Sequence, residues 1–155
     1  MKVVLDTSCI SAFIRVNKVN LLLEILTGHD VVITNQVSQE LRLSKISELR
    51  QFSHVAVKVE QATSEIAEKY GLHIGEASVI TYAKSNNALA VIDDKKARHA
   101  AETEGINFIG TATLLKLGVE KGKIKKSEIE KLLNDITLVG KLYLSPEIKN
   151  WILSK

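Results

Sequence analysis

Short apolar runs that alternate with helical patterns are the feature of this chain that most constrains its fold. The clearest runs are Val3–Leu5, Val31–Ile33, Ala88–Ile92 and Ile106–Ile109. Continuous apolar runs of this length are typical of strands that are buried on both faces. Between them, apolar residues recur at helical spacing, so that strand and helix follow one another. This order predicts an α/β sandwich with a mainly parallel central sheet.

The predicted helices are bounded by residues that commonly begin or end a helix. We expect Thr7 and Ser8 to cap the first helix, and Gly28, Gly71 and Gly105 to follow the ends of later ones. A half-exposed strand is expected at 55–59. The helices are predicted at Cys9–Val16, Val19–Leu26, Val37–Ser44 with a continuation over 47–52, Gln61–Tyr70, Gly75–Asn86, Lys95–Glu104, 111–117, Ser127–Leu133 and Pro146–Leu153.

Composition narrows the class of protein. A chain of 155 residues with 45% hydrophobic residues is long enough to bury the core of one domain over 1–155, of which about 123–155 would form a helical C-terminal extension. The net charge of +3 is too small to argue for nucleic acid by itself. The single cysteine, Cys9, excludes an internal disulfide, and no apolar run approaches the ~18 residues of a membrane span. We therefore expect a cytoplasmic protein without a membrane partner.

Acidic side chains stand where the predicted sheet would place a ligand. Asp6 and the pair Asp93–Asp94 come directly after strands, and Glu40 and Glu76 are expected in the first turns of helices. In a parallel sheet the carboxyl ends of the strands and the beginnings of the following helices share one edge. These acids should therefore converge at that edge.

Convergence of carboxylates has a structural and a functional explanation. Any one acid can serve as a helix cap or compensate a helix dipole, for roughly 0.3–1 kcal/mol. Four acids at one edge would repel one another, and Glu76 is followed at helical spacing by Val79, Ile80 and Ala83, which places it on an apolar stripe. A hard divalent cation with oxygen ligands is the usual remedy for such repulsion. The sequence thus predicts a metal site, with capping as the alternative.

Four segments resemble, in order, the acidic motifs of the PIN-domain nucleases. They are Val3-Val-Leu-Asp6-Thr-Ser8, Val37-Ser-Gln-Glu40-Leu41, Gly75-Glu76-Ala-Ser-Val-Ile80 and Val91-Ile-Asp93-Asp94-Lys-Lys-Ala-Arg98; a later segment from Gly110 to Leu115, followed by Gly122-Lys-Ile124, is also similar. The resemblance covers nearly the whole chain. It implies a three-layer sandwich, Mg²⁺ or Mn²⁺ at the carboxylates and hydrolysis of RNA. Many small members are VapC-type toxins that a partner antitoxin restrains.

The resemblance assigns roles to individual residues. Asp6, Glu40, Glu76 and Asp94 would be the catalytic acids, and Asp6, Glu76 and Asp94 would contact the metal, with Asp93 as the alternative to Asp94. Thr7 or Ser8 would orient a water or a phosphate oxygen, although simple capping explains them as well. Glu76 replaces a frequent Asp, and Ala97-Arg98 stand where an aromatic residue is common. The helical tail after Gly122 resembles a related uncharacterised prokaryotic branch of the family. The alternative function is a catalytically weak or inactive PIN-fold module that binds RNA or protein.

Basic and apolar segments suggest where partners would bind. Lys95, Lys96 and Arg98 directly follow the fourth acidic motif and could hold phosphates, whereas the lysines of 116–131 are equally explained as a solvated helix face. Aromatic residues are few (5%), which does not favour base stacking. The apolar tail from Leu142 to Ile152 should pack on its own sheet. Alternatively, with Val19–Leu26, it would form a homodimer or antitoxin interface.

Overall fold

The computed structural model of the protein describes residues 1–43, 56–57 and 59–154. Strands and helices alternate along the chain in the predicted order. The elements are β1 (Lys2–Leu5), α1 (Thr7–Arg15), α2 (Val19–Ile25), β2 (Asp30–Thr34), α3 (Asn35–Leu43), β3 (Ala56–Val57), α4 (Gln61–Tyr70), α5 (Ile74–Asn86), β4 (Leu89–Val91), α6 (Lys95–Thr103), β5 (Phe108–Ile109), α7 (Thr111–Glu120), α8 (Lys126–Leu138) and α9 (Pro146–Leu153).

The described strands form one parallel sheet in the order β3-β2-β1-β4-β5. β1 lies at its centre, where Val4 pairs with Val32 on one side and with Ala90 on the other. All described pairings are parallel, so the carboxyl ends of β1, β2 and β4 meet at one edge. The predicted α/β class with a parallel sheet is confirmed.

Helix α5 is the most deeply buried helix that the sheet packs against, and it is buried on nearly every side. Every residue from Ala77 to Ala83 is buried. The stripe of Val79, Ile80 and Ala83, which suggested that Glu76 faces inward, therefore does not distinguish one face of this helix from another. A helix that is apolar all round belongs to the interior, and its N-terminal turn carries Glu76 to the edge of the sheet.

The helix beginning at Thr7 is capped differently from the prediction. Asp6 is its N-cap residue, and the Asp6 carboxylate accepts a hydrogen bond from the Thr7 amide at 2.8 Å. Thr7 is already helical because β1 ends at Leu5 and leaves a single residue for the turn. The prediction that Thr7 and Ser8 cap this helix is wrong. Asp6 does so, while it also stands among the other acids.

Two predicted segments lie wholly or partly outside the described residues. The first is the predicted continuation of α3 through Ser44 and 47–52. The second is the predicted strand at 55–59, where residues 56–57 are described as β3 and pair with β2. Helix α8 extends beyond the predicted Ser127–Leu133 at both ends, because Ile136 adds a buried position one turn further along.

The apolar tail packs mainly on its own domain. Leu144 and Ile152 are buried, and α9 contacts α7 and α8. Helix α2 likewise buries Val19, Leu22 and Ile25 in the core, so most of its apolar surface is used within the chain. Tyr143 and Trp151 nevertheless remain exposed. In the part of the chain that the structure describes, no helix is both long and apolar enough to cross a membrane.

Candidate acidic active site

The sheet edge gathers the acids that the sequence singled out. Asp6 follows β1 and Asp93–Asp94 follow β4, while Glu76 lies in the first turn of α5. Glu40 lies in the second turn of α3 rather than the first, because α3 begins at Asn35 directly after β2. Its longer side chain still reaches the edge.

Asp6 is the centre of this group. Its side chain is only 2% exposed, and its amide donates to the carbonyl oxygen of Val91 at the end of β4. Burial raises the pKa of Asp6 from 3.8 to about 7, against the hydrogen bond from Thr7, which lowers it. The charges of Glu76, Glu40 and Asp93 raise the pKa further. A carboxyl group in this position attracts positive charge, whether a proton or a cation.

Glu40 of α3 accepts hydrogen bonds from two other helices, α1 and α5. Its Oε2 accepts a hydrogen bond from the Thr7 hydroxyl at 2.6 Å, and its Oε1 accepts one from the Gly75 amide at 3.0 Å. The first turn of α1 and the first turn of α5 are thereby fastened to α3. Since Gly75 immediately precedes Glu76, this carboxylate also fixes the backbone from which Glu76 projects.

Glu76 carries a buried oxygen, Oε2, that has no hydrogen-bond partner among the described residues, although the side chain as a whole is half-buried. Burial raises the pKa of Glu76 to about 6, and the charge of Asp94 adds to this effect, whereas the neighbouring His73 lowers the pKa. An unpartnered buried carboxylate oxygen is costly and therefore indicates a position for a donor or a cation.

The two consecutive aspartates have different partners. The Asp93 carboxylate accepts hydrogen bonds from the amide of Thr111 at 2.8 Å and from its hydroxyl at 2.6 Å, at the start of α7. Asp94 is exposed and caps α6 by accepting from the amide of Ala97 at 3.0 Å. The charge of Asp93 acts on Asp6 and that of Asp94 acts on Glu76. Both aspartates therefore belong to the acidic edge.

Two clefts open at this edge, and Ser8 lines both. The first has a volume of about 580 Å³ and contains Asp6, Glu40 and Glu76 together with Thr7 and His73. The second has a volume of about 510 Å³ and contains Asp93, Asp94 and Arg98, with an apolar wall from the chain after Lys141. The five acids thus line two neighbouring clefts.

The donor set suits a hard divalent cation. Carboxylate oxygens are the ligands that such ions prefer, and the orphaned Oε2 of Glu76 faces the same group of acids as Asp6. Within the described ranges, however, no three His, Cys, Asp or Glu side chains are already close enough to hold one ion. Binding would therefore draw the carboxylates of Asp6, Glu76 and Asp94 together.

The basic residues differ in their access to the edge. Lys95, Lys96 and Arg98 are exposed in the first turn of α6, and the Arg98 guanidinium lies 5.5 Å from the centre of the Phe108 ring. Lys116 does not belong to a solvated face, because its ammonium is buried and donates to the carbonyl oxygens of Trp151 (2.8 Å) and Ser154.

Sequence reasoning missed several residues at the edge. Thr111 follows Gly110 at the carboxyl end of β5, and that position alone could have identified it. His73 is exposed at the N-cap of α5 without a side-chain cap hydrogen bond, and it lines the first cleft. Tyr143 and Trp151 line the second cleft, and no local pattern places them beside Asp94.

Comparison with known families agrees with this architecture. A family model described as a PIN domain matches residues 2–155. The chain therefore belongs to the PIN-domain family, whose members are generally nucleases. No curated protein and no solved structure is similar enough to the chain to count as a match.

Proposed function

We propose that this PIN-domain protein is a divalent-metal-dependent endoribonuclease whose reaction centre is the acidic edge. The observation that carries the proposal is the burial of Asp6, which is 2% exposed, at a sheet edge where the charges of Glu76, Glu40 and Asp93 also act on its carboxyl group. Repulsion among clustered carboxylates destabilises a fold unless a cation compensates their charge. Family membership supports the same chemistry.

Asp6, Glu76 and Asp94 would hold the metal in this proposal, and Asp93 is the alternative to Asp94. Bound there, Mg²⁺ or Mn²⁺ would activate a water and stabilise the departing oxygen of a phosphodiester. Glu40 acts as a positioning residue, because its two hydrogen bonds hold the Thr7 hydroxyl and the Gly75 amide in place. It thereby orients Asp6 from one side and Glu76 from the other.

The substrate backbone would lie across the exposed first turn of α6. Lys95, Lys96 and Arg98 are exposed in the turn of α6 that follows Asp94, and Arg98 lines the second cleft. Cationic side chains supply most of the sequence-independent affinity for nucleic acid. Ser8 lines both clefts and its hydroxyl can donate to a phosphate oxygen. Thr7 already donates to Glu40, so its role is to hold that carboxylate.

Cleavage of RNA with and without metal tests the proposal. Wild-type protein with Mn²⁺ should cut a single-stranded RNA, and a chelator should abolish the reaction. Asp6→Asn should remove cleavage while the fold survives, because an asparagine oxygen can still accept from the Thr7 amide. Leu138→Ala is a suitable control, since Leu138 is 78% exposed and lines neither cleft. Equal cleavage by wild type and Asp6→Asn would contradict the proposal.

A structural role for the acids is the second candidate, and one observation favours it. Glu40 and Asp93 each accept two hydrogen bonds within the chain, and Asp94 caps a helix. A PIN-fold module that binds RNA or protein without cutting would need no more than this. Calorimetry with Mn²⁺ distinguishes the nuclease from the non-cutting module. Only the nuclease requires the protein to bind Mn²⁺ and requires Asp6→Asn to weaken that binding.

A toxin function is the finer part of the proposal, and it adds a partner. Expression of this chain alone should then arrest growth through RNA cleavage, and an inhibitor protein that covers the acidic edge should relieve the arrest. Asp6→Asn should be harmless when expressed at the same level. Arrest by Asp6→Asn would show that cleavage is not its cause.

A further inference from the structure

The second cleft combines exposed aromatic rings with the acidic edge. Tyr143 and Trp151 line it together with Leu142 and Ile148, opposite Asp94 and Arg98. Tyr143 is 78% exposed and Trp151 is 46% exposed. Large aromatic side chains gain much from burial, so two of them open to water in one cleft indicate a surface that a ligand covers.

The rings stand on a fixed framework. Leu144, next to Tyr143, is buried, and so is Ile152, next to Trp151. Ser145 caps α9 by accepting from the amide of Ile148 at 3.2 Å. At the other end of α9, the buried Lys116 ammonium binds the carbonyl oxygen of Trp151. The backbone that carries the two rings is thus held in place before any ligand arrives, which lowers the entropic cost of binding.

We propose that the second cleft binds an unpaired base of the RNA, next to the phosphodiester that the acids act on. This inference rests on the proposed nuclease function and names the form of its substrate. Aromatic faces stack on nucleobases of any sequence, but only when the bases are not already stacked in a duplex. The low aromatic content of the chain argued against stacking, yet the fold concentrates two of its few aromatic rings here.

Position and charge favour a nucleotide over an apolar protein segment. Ser8 lines both clefts, so the second cleft lies next to the first, which contains Asp6, Glu40 and Glu76. Arg98 lies in its wall, where a guanidinium can contact the phosphate that joins the stacked nucleotide to the next one. A purely apolar segment would offer the exposed Arg98 guanidinium no hydrogen-bond acceptor.

Fluorescence gives a direct test, because Trp151 is the one tryptophan of the chain. In the Asp6→Asn protein, which should not cut, a single-stranded hexaadenylate should quench this fluorescence with saturation. The same sugar-phosphate backbone without bases should bind on the order of 10-fold more weakly, since stacking contributes about that much per base. A matched RNA duplex should also fail to quench.

Variants of Tyr143 provide the second measurement. Tyr143→Ala should weaken hexaadenylate binding on the order of 10-fold, whereas Tyr143→Phe, which keeps the ring, should bind like its parent. Leu138→Ala is the matched control, because Leu138 is also 78% exposed and lies outside the cleft. Equal affinities for the base-containing and base-free strands, or unchanged binding by Tyr143→Ala, would overturn the inference.

The outcomes also separate this inference from the nuclease proposal. Base-dependent quenching in a protein that never cuts RNA would overturn the nuclease function alone. Cleavage without base-dependent quenching would overturn the base-binding cleft alone. A wild-type dimer that Tyr143→Ala dissociates, with no quenching by RNA, would assign the cleft to a second copy of the chain, and sedimentation velocity measures this.

Discussion

The carboxylate of Glu40 occupies the space that a side chain on Gly75 would need. Its Oε1 accepts a hydrogen bond from the Gly75 amide at 3.0 Å, and a Cβ at Gly75 would lie 2.6 Å from the Glu40 Cδ. Atoms this close repel strongly, so the glycine allows α3 to approach the N-terminus of α5. The acidic edge therefore depends on a residue that has no side chain.

We expect Gly75→Ala to destabilise the protein by displacing Glu40. Loss of hydrogen bonds to a charged group costs about 1.5–3 kcal/mol each, which outweighs the gain of up to ~1 kcal/mol that alanine brings inside a helix. Urea unfolding of a double-mutant cycle with Glu40→Ala measures this. When Glu40 is already truncated, Gly75→Ala should be neutral or stabilising. Destabilisation of the same size in both backgrounds would show that another contact is responsible.

The metal-free protein should lose stability as the pH rises from about 4 to about 7. Unfolded Asp6 releases its proton near its ordinary pKa of 3.8, whereas folded Asp6 keeps it up to about 7. A carboxyl whose pKa is raised on folding contributes stability that is fully present below its unfolded pKa and is lost as the pH passes the folded pKa. Glu76, raised to about 6, acts in the same direction.

Thermal unfolding across this pH range, with a chelator present, checks the sign. At ~1.4 kcal/mol per pKa unit, Asp6 can account for at most a few kcal/mol. Asp6→Asn cannot titrate at this position and should flatten the profile, so that the variant is the more stable protein at pH 8. A wild-type profile that rises with pH, and that Asp6→Asn leaves unchanged, would contradict the assignment.

Added Mn²⁺ should raise the melting temperature of the wild-type protein at pH 8. A ligand that binds only the folded state stabilises it by mass action, about 2.7 kcal/mol at 100 times its dissociation constant. Asp6→Asn and Glu76→Gln should each show a smaller increase. An equal increase in the wild type and in both variants would mean that the ion binds elsewhere, because these two acids are the proposed ligands.

Thr111 should stabilise the edge through Asp93. Thr111→Val preserves the size of this buried side chain but removes the hydroxyl that donates to Asp93 at 2.6 Å. We expect a loss of about 1–3 kcal/mol in urea unfolding, the cost of leaving one partner of a buried hydrogen bond unsatisfied. Thr113→Val, on the same helix, is the matched control and should change stability little. Equal losses in the two variants would indicate that the hydrogen bond from the Thr111 hydroxyl to Asp93 is not what stabilises the edge.

Much of the architecture could be predicted because it depends on local sequence patterns. Apolar runs mark the strands, and the glycine after Tyr70 adopts the left-handed conformation (φ 65°) that ends α4. The convergence of Asp6 with Asp93–Asp94 follows from parallel pairing alone, since parallel strands end at one edge. These features need only the periodicity of the chain and the direction of its strands.

The details of the site depend on contacts between distant residues, which local patterns do not record. By sequence Thr7 resembles a helix cap, but in the structure its hydroxyl donates a hydrogen bond to Glu40 of α3. Lys116 looks like part of a charged face because its position in α7 does not reveal that the end of α9 covers it. The sequence around Tyr143 does not show that its side chain lines the same cleft as Asp94.

Lys116 should hold the C-terminal helix in place. Its ammonium donates to the carbonyl oxygens of Trp151 and Ser154 and to the Ser154 hydroxyl, and it lies 5.6 Å from the Trp151 ring centre. A cation at the end of a helix satisfies its last carbonyl groups and compensates its dipole. Lys116→Met keeps the apolar stem but removes the charged donor from these oxygens, so we expect a loss of about 1.5–3 kcal/mol.

Hydrogen exchange of α9 measures the consequence directly. In Lys116→Met the amides of α9 should exchange faster than those of α5, which remains enclosed by the core. Lys131→Met is the control, because the Lys131 side chain is 84% exposed and pairs with Asp135 on its own helix. Deletion of 146–155 should go further and weaken cooperative unfolding, since Ile152 is fully buried. Unchanged protection of α9 in Lys116→Met would show that apolar packing alone holds the tail, and that the buried ammonium is not what positions Trp151 at the cleft.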